Sequence, residues 1–327
     1  MKRVLVTGGA GYIGSHTAKA LAASGYQPVV LDDLSAGHRW AVRWGALVEG
    51  NVADRELVIQ TIREHRIDAV IHFAANAYVG ESMEQPRRYF QNNVLNSLSL
   101  LHAAMDGGVR HFVFSSTCAV YGLPQTIPMD EEHPRIPISP YGESKLFVEQ
   151  VLGWYARTEG VEFVALRYFN AAGADPDGEI GECHRPETHL IPLAIGVARG
   201  QYPALKIFGT DYDTADGTAV RDYIHVCDLA DAHLRALKYL FSGGVSTAMN
   251  LGTGAGHSVR AVQRAVETVS GRPVPVSMLD RRSGDPAILV AKAEKANKLL
   301  GWKPRFTRLE DVIETAWKWH GAPHRRA

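Results

Sequence analysis

The sequence of 327 residues is poor in the features that mark several classes of protein. It has only three cysteines, Cys118, Cys183 and Cys227, and their odd number and wide spacing argue against a disulfide framework or a zinc knuckle. Its 35 lysines and arginines balance its 35 aspartates and glutamates, and this zero net charge excludes the strongly basic surface of a nucleic-acid-binding protein. No apolar stretch approaches the roughly 18 residues of a membrane-spanning helix. We therefore expect a soluble, cytoplasmic protein whose partners include neither nucleic acid nor membrane.

Short apolar runs rich in β-forming residues alternate with longer helical patterns through the first half of the chain. Strands are predicted over 3–7, 28–31, 46–49, 68–73, 111–115 and 161–167, and helices over 13–24, 54–64, 86–105 and 141–157. Nearly continuous apolar strands separated by helices are typical of a parallel sheet that helices cover on both faces. The sequence therefore predicts an α/β fold with a doubly wound parallel sheet.

The pattern changes after about residue 170, where glycine, proline, aspartate and histidine become frequent and the elements shorten. We expect residues 1–170 to form a first domain, to which the chain returns over about 222–252. Residues 171–221 and 253–327 are then expected to form a smaller C-terminal α/β lobe.

A glycine-rich turn, Thr7-Gly8-Gly9-Ala10-Gly11-Tyr12-Ile13-Gly14, stands directly between the first predicted strand and the first predicted helix. Glycines at 8, 11 and 14 permit a tight turn and a close approach of the backbone to a pyrophosphate, which the helix N-terminus attracts. Asp32 ends the second strand, where a carboxylate accepts hydrogen bonds from the adenosine ribose and repels a 2′-phosphate. Strand, glycines, helix and aspartate together predict a Rossmann-type domain that binds NAD rather than NADP.

Two further motifs carry side chains suited to proton transfer. Tyr141 and Lys145 are four residues apart in a predicted helix and therefore lie on one face. A tyrosine phenol titrates near pH 10, and a nearby ammonium together with a nicotinamide cation favours the phenolate and lowers its pKa. Thr117 follows a strand that ends at Ser115, at the edge where α/β sheets bind ligands. Each motif alone is common, so only their combination with the glycine turn indicates catalysis.

In this order the motifs resemble the extended short-chain dehydrogenase/reductase family, and within it the group of UDP-glucose 4-epimerases, over nearly the whole chain. The segments that carry the resemblance are TGGAGYIGSH from Thr7, FAA from Phe73, GES from Gly80, NNV from Asn92, FSSTCAVYG from Phe114, PYGESK from Pro140, LRYFNAAGA from Leu166, DGTAVRDYIHVCDLADAH from Asp216, NLGTG from Asn250 and RRSGDP from Arg281. The resemblance implies reversible 4-epimerisation of a UDP-hexose (UDP-glucose or UDP-galactose) through a 4-keto intermediate with enzyme-bound NAD. It implies that Tyr141 takes the 4-hydroxyl proton, that Lys145 holds the nicotinamide ribose and lowers the tyrosine pKa, and that Thr117 lies near the 4-oxygen.

The resemblance also assigns ligand-binding residues, with NAD in the first domain and the UDP-sugar in the smaller lobe. For NAD they are Gly8, Gly11, Tyr12, Ile13, Gly14, Asp32, Asp33, Asn51, Val52, Phe73, Ala74 and Ala75, and near the nicotinamide half Asn92, Tyr141, Lys145 and Tyr168. For the UDP-sugar they are Thr117, Asn170, His189, Leu190, Phe208, Arg221, Arg282, Asp285 and Leu289. The two arginines suit the diphosphate, Phe208 the uracil and Asp285 the uridine ribose. No metal site is expected.

Three positions depart from the family pattern. Ala77 stands where some members place a lysine on the NAD phosphates, and Asp33 replaces a more usual asparagine. Leu289 is intermediate in bulk at a position that lines the sugar pocket. Its size leaves the acceptance of N-acetylated sugars open.

Other functions stay open at this point. The same chemistry on a pentose, UDP-xylose to UDP-arabinose, is not separated from the hexose reaction by the pocket residues. A non-catalytic NAD-binding regulator is disfavoured because both Tyr141 and Lys145 are present, and a 4,6-dehydratase because Cys118 and Ala119 stand where that reaction needs an acidic pair. A homodimer that packs the helices at about 86–105 and 141–157 is also expected.

Overall fold

The computed structural model describes residues 1–282 and 284–322, so Ser283 of the RRSGDP segment and residues 323–327 of the predicted lobe lie outside the described residues. A seven-stranded sheet organises the chain. Its strands, numbered along the sequence, are β1 (Arg3–Thr7), β2 (Gln27–Asp32), β3 (Ala46–Glu49), β4 (Ala69–His72), β5 (His111–Ser115), β6 (Glu162–Arg167) and β10 (Thr247–Asn250). All neighbours are parallel, in the order β10-β6-β5-β4-β1-β2-β3. The predicted doubly wound parallel sheet of Rossmann type is confirmed.

Helices cover both faces of this sheet. The helices of the described residues, numbered along the sequence, are α1 (Tyr12–Ala23), α2 (Arg55–His65), α3 (Val79–Glu84), α4 (Pro86–Tyr89), α5 (Asn96–Asp106), α6 (Pro140–Thr158), α7 (Leu190–Ala198), α8 (Val226–Phe241), α9 (Val259–Ser270), α10 (Glu294–Leu300) and α11 (Leu309–Gly321). Those that pack on the large sheet include α1 and α8 on one face and α2, α5 and α6 on the other. Because side chains alternate along a strand, Val4 and Val6 of β1 pack against α1 and α8, whereas Leu5 packs against α2, α5 and α6. Two apolar cores therefore enclose the sheet.

The predicted helix over 86–105 is present but is not regular. It consists of α4, a π-helical segment at Phe90–Leu95, and α5. Within the π-helical segment, the side chain of Asn93 accepts a hydrogen bond from the Asn76 N–H (2.8 Å) and donates one to the Asn76 carbonyl (2.9 Å). Such bulges often occur at functional sites, and this one ties the loop after β4 to the helical layer.

The second half of the chain adds smaller sheets. They contain β7 (Asn170–Ala172), β9 (Val220–His225), β11 (Gly256–Ser258) and β13 (Ile288–Leu289), and a separate pair, β8 (Leu205–Phe208) with β12 (Val276–Leu279). α7, α9 and α11 pack together around a third apolar cluster. Within the segment predicted to return to the first domain, β10 is an edge strand of the large sheet and α8 packs against β5 and β6, whereas β9 belongs to a small sheet. The division into two domains itself stays a prediction.

Several predicted site residues lie where strands of the large sheet end. Gly8 follows β1, Asp32 ends β2, Phe73 follows β4, and Thr117 comes two residues after β5. Because all seven strands are parallel, these carboxyl ends meet at one edge, which is the ligand-binding edge of open α/β sheets. Within the described ranges, no helix is both long and apolar enough to cross a membrane. The three cysteines are free thiols.

Candidate active site

Two glycines of the turn, Gly8 and Gly14, leave no room for a Cβ atom. Gly8 has a φ of +70°, and a Cβ on it would lie 2.6 Å from the Ala74 amide nitrogen. A Cβ on Gly14 would lie 2.2 Å from the Gly8 carbonyl oxygen. Gly11 is the N-cap of α1, and no side chain caps this helix end, so its first N–H groups face the turn uncapped. These groups and the helix dipole suit a phosphate group.

The turn also fixes Asp32. One carboxylate oxygen accepts the Ala10 N–H and the other the Leu34 N–H, both at 2.9 Å. Burial raises the pKa of Asp32, and these two hydrogen bonds oppose the rise. The neighbouring Asp33 accepts a hydrogen bond from Asn51 Nδ2 at 2.8 Å. Both carboxylates are therefore oriented before any ligand arrives.

The proton-transfer residues meet at the start of α6. Ser139 caps this helix by accepting the Gly142 N–H at 3.2 Å, which sets Tyr141 in the first turn. The phenol of Tyr141 hydrogen-bonds the side chain of Thr117. One turn later, Lys145 is buried and donates a hydrogen bond to the Ser115 carbonyl at 2.8 Å. The structure thus brings the three predicted catalytic residues to the end of β5.

Burial dominates the titration of this group. It raises the pKa of Tyr141 to about 12, although the hydrogen bond with Thr117 acts in the opposite direction. Burial also lowers the pKa of Lys145 to about 7, against the attraction of Glu149 one turn further on. The expectation of a lowered tyrosine pKa is therefore not met by the protein alone, because desolvation of the phenolate outweighs its one hydrogen bond. A cationic ligand beside the phenol has to supply the rest.

The remaining predicted NAD residues surround this edge. The Tyr168 phenol lies 2.5 Å from the Ser115 hydroxyl. Asn92 lies in the π-helical segment and accepts a hydrogen bond from Asn96 Nδ2 at 3.3 Å. Ala74 packs on the Gly8 turn, whereas Val52 is buried in the core beneath α2 and α5. Of the positions that depart from the family pattern, Ala77 is exposed.

Four predicted substrate residues pair with one another. The guanidinium of Arg221 forms an ion pair with the carboxylate of Asp285. Leu289 is the β13 partner of Arg221 in the register of the small sheet. The guanidinium of Arg282 lies 4.0 Å from the centroid of the Phe208 ring. The charged and aromatic groups predicted for UDP thus already contact partners within the protein.

The last three predicted substrate residues flank the same lobe. Asn170 lies in β7, opposite Tyr223 of β9. His189 immediately precedes Leu190, the first residue of α7, and its Nδ1 lies 2.5 Å from the Glu182 carboxylate. Burial lowers the pKa of His189, but the carboxylates of Glu182 and Glu187 outweigh it and raise the pKa to about 10. The role of His189 in holding the diphosphate or the sugar stays a prediction.

The sequence reasoning missed two sets of polar residues. Glu149 and Arg167 form a buried ion pair (2.5 Å), and Glu149 also accepts a hydrogen bond from Ser116 at 2.5 Å. A glutamate four residues after Lys145 was the available signal. The second set comprises Glu182, His184, Glu187 and His189, whose ligand atoms converge. Their short spacing in sequence was the signal there.

Comparisons with known proteins agree with this geometry. The model of the family described as NAD dependent epimerase/dehydratase matches residues 4–252. A UDP-glucose 4-epimerase from Rhizobium leguminosarum bv. trifolii is 54% identical over 317 residues, which are 97% of each chain.

Two solved structures are similar over almost their whole length. One is UDP-glucose 4-epimerase from Brucella ovis in complex with NAD, 50% identical with a TM-score of 0.94, covering 96% of this chain and 97% of that one. The other is UDP-glucose-4-epimerase from Stenotrophomonas maltophila with bound NAD and formylated UDP-arabinopyranose, 42% identical with a TM-score of 0.94, covering 98% of both chains. The glycine turn, the Tyr141–Thr117 pair and these similarities lead to one conclusion. The chain belongs to the NAD dependent epimerase/dehydratase family.

Proposed function

We propose that the protein catalyses the reversible 4-epimerisation of a UDP-hexose, interconverting UDP-glucose and UDP-galactose with bound NAD. The observation that carries this proposal is the placement of Tyr141, hydrogen-bonded to Thr117, with Lys145 buried beneath the same sheet edge as the glycine turn. The similarity to UDP-glucose 4-epimerases over 97% of the chain supports the choice of substrate.

The residues of the first domain fit NAD. The glycine turn and the uncapped end of α1 suit the pyrophosphate, and the oriented carboxylate of Asp32 suits the adenosine ribose and disfavours a 2′-phosphate. When bound, NAD is the reversible oxidant of C4, and it is regenerated within each cycle. A reaction without net oxidation does not require the cofactor to leave between turnovers.

The protein's own part is to move one proton. Tyr141, as the phenolate, takes the proton of the sugar 4-hydroxyl and later returns it to the 4-oxygen of the inverted sugar. Thr117 hydrogen-bonds the same oxygen and keeps it in line with the phenol. Lys145 lies below the pair. Burial lowers its pKa to about 7, and the carboxylate of Glu149 opposes this fall and so favours the charged ammonium. General acid–base catalysis of this kind is worth about 10²–10⁴-fold in rate.

The smaller lobe is proposed to hold the UDP-sugar. Arg221 and Arg282 offer planar guanidinium groups for the diphosphate, Asp285 a carboxylate for the uridine ribose, and Phe208 a ring for uracil. Because Arg221 pairs with Asp285 and Arg282 covers Phe208, binding exchanges these internal contacts for contacts with the nucleotide. Asn170 and the second ring nitrogen of His189, Nε2, complete the diphosphate and sugar contacts.

Two further expectations accompany this function. Large apolar side chains stand exposed on the π-helical segment (Phe90 and Leu95) and on α6 (Phe147 at 46% and Trp154 at 61%). Their position on the two predicted interface helices supports a homodimer formed through this face. The three free thiols support a cytoplasmic location.

The test is turnover without added cofactor. Purified protein is incubated with UDP-galactose or, separately, with UDP-xylose, and the products are resolved by NMR. Formation of UDP-glucose supports the proposed hexose reaction with retained NAD. Conversion of UDP-xylose alone moves the assignment to a pentose 4-epimerase. Turnover of neither sugar, even with NAD added, refutes the proposal and favours the non-catalytic regulator.

A further inference from the structure

Four potential metal ligands converge in front of α7. They are Glu182, His184, Glu187 and His189, which lie in the short connection that leads into α7. Each contributes one ligand atom, and all four atoms lie within 4.8 Å of one another. The cluster combines two imidazoles with two carboxylates, a donor set that Zn²⁺ accepts.

The separations between these atoms resemble those of ligands around a single ion. His184 Nδ1 lies 3.1 Å from the Glu182 carboxylate and 3.7 Å from that of Glu187. His189 Nδ1 lies 2.5 Å and 3.4 Å from the same two groups. Around a tetrahedral ion with bonds of about 2.0–2.2 Å, neighbouring ligand atoms are about 3.3–3.6 Å apart. Three of the four separations are close to that range, and the fourth has to widen by about 1 Å.

Both imidazoles of the cluster lie against its two carboxylates, so in the metal-free protein they neutralise Glu182 and Glu187. An imidazole binds a metal in its neutral form, so Zn²⁺ takes over this role and releases the imidazole protons. The Glu182 side chain is only 4% exposed, so its charge needs compensation inside the protein.

Outer contacts hold the ligands in place. The Glu187 carboxylate accepts the N–H groups of Thr188 (2.8 Å) and His189 (2.9 Å). The Glu182 carbonyl accepts a hydrogen bond from the Trp319 indole at 2.8 Å, which anchors the segment to α11. Oriented ligands of this kind are typical of metal sites.

A second acidic group in the chain provides a contrast. Asp175, Asp177 and Glu179 also converge, but the ammonium of Lys19 lies 2.8–2.9 Å from all three carboxylates. That group is neutralised by a lysine ammonium, which is not a metal ligand, whereas the group at 182–189 is neutralised by imidazoles, which are. It therefore supplies a matched control for the cluster at 182–189.

We propose that Glu182, His184, Glu187 and His189 bind one Zn²⁺ ion. With four protein ligands the ion is tetrahedral and structural, and a hard ion such as Mg²⁺, which demands six oxygen ligands, is disfavoured. The rings of Tyr12 and Tyr78 lie about 6 Å from the ring of His184, so the ion fixes the entry of α7 against the glycine turn. The proposal does not depend on the sugar that the protein uses.

The experiment measures metal directly on the full chain with its dinucleotide, purified without a polyhistidine tag. After chelation and dialysis, Zn²⁺ binding is followed by competition with a chromophoric chelator, with Mg²⁺ as comparison. We expect one Zn²⁺ per chain at submicromolar affinity and a rise in Tm on addition of Zn²⁺. Replacement by Co²⁺ should give the intense visible bands of a tetrahedral site.

The variants separate this site from the other histidines. His184→Gln and Glu187→Gln should each weaken Zn²⁺ binding at least about 100-fold and abolish the rise in Tm. Asp177→Asn, in the control group, should bind Zn²⁺ as the parent does. If a variant fails to fold, the measurement on the parent protein still tests the proposal. Binding of less than about 0.1 equivalent of Zn²⁺ by the parent, with no change in Tm, overturns it. Unchanged Zn²⁺ binding by folded His184→Gln protein overturns it as well.

Discussion

The two sides of the candidate site reach their geometry in opposite ways. At the edge of the large sheet, burial moves the pKa values of Tyr141 and Lys145 toward the neutral forms, against the hydrogen bond of Thr117 and the attraction of Glu149. In the smaller lobe, charged side chains neutralise one another, as Arg221 does with Asp285 and His189 with Glu182. The first side therefore depends on a cationic ligand to lower the pKa of Tyr141, whereas the second must exchange internal pairs for a diphosphate.

The largest effect is expected on the sheet side. Tyr141→Phe removes the hydroxyl that carries the proton and should lower kcat about 1,000-fold, within the usual range for general acid–base catalysis. Binding of UDP, measured by calorimetry, should be unchanged because the ring itself is retained. Full turnover by folded Tyr141→Phe protein would contradict the assignment of Tyr141 as the acid–base group.

A smaller effect is expected in the smaller lobe, where substitutions of Arg221 and of Asp285 should change KM to different extents. Arg221→Met removes the planar fork and leaves Asp285 unpaired beside the diphosphate, so KM should rise about 100-fold with little change in kcat. Asp285→Asn frees Arg221 from its internal partner and should raise KM no more than about 10-fold. Steady-state kinetics on both variants measure the difference. Equal effects of the two substitutions would mean that the internal pair does not compete with substrate.

The structural frame follows from the sequence because its signals are local. Unbroken apolar runs define the parallel strands, the glycines define the turn after β1, and a four-residue spacing puts Tyr141 and Lys145 on one helix face. The cap on α2 is equally local, since Asp54 accepts the Leu57 N–H at 3.1 Å.

The rest depends on residues far apart in sequence or on irregular backbone. Arg221 and Asp285 are 64 residues apart in sequence, and the pairing of β9 with β13 brings them together. The π-helical segment depends on the contact of Asn93 with Asn76 in another layer. The four residues from Glu182 to His189 converge through the path of a loop, which hydrophobic periodicity does not predict.

The next effect concerns the role of Asp32 in binding NAD and in discriminating it from NADP. Asp32→Ala removes a carboxylate that orients two backbone N–H groups and repels a 2′-phosphate, so NAD binding should weaken about 10-fold and the preference for NAD over NADP should fall by a similar factor. Fluorescence titration with both dinucleotides measures this, with Asp33→Asn, the family's more usual residue, as the control. Unchanged discrimination in Asp32→Ala would refute the role of Asp32.

The smallest effect concerns stability. Burial lowers the pKa of Lys145 from 10.5 to about 7, so between these values the unfolded chain binds a proton that the folded chain does not. In protein stripped of dinucleotide, the free energy of unfolding of the parent relative to Lys145→Met should therefore rise from pH 7 to pH 10. Urea unfolding at several pH values measures it. A difference that stays constant with pH would show that Lys145 titrates normally.

In the proposed reaction C4 is oxidised and re-reduced within one site with the same bound dinucleotide, while Tyr141 moves only the hydroxyl proton. The most direct measurement is the fate of deuterium in UDP-galactose labelled at C4, converted in ordinary water and followed by NMR. We expect the UDP-glucose formed to keep its deuterium at C4. Loss of the label to solvent would contradict it, because the hydrogen on carbon would then have exchanged as a proton.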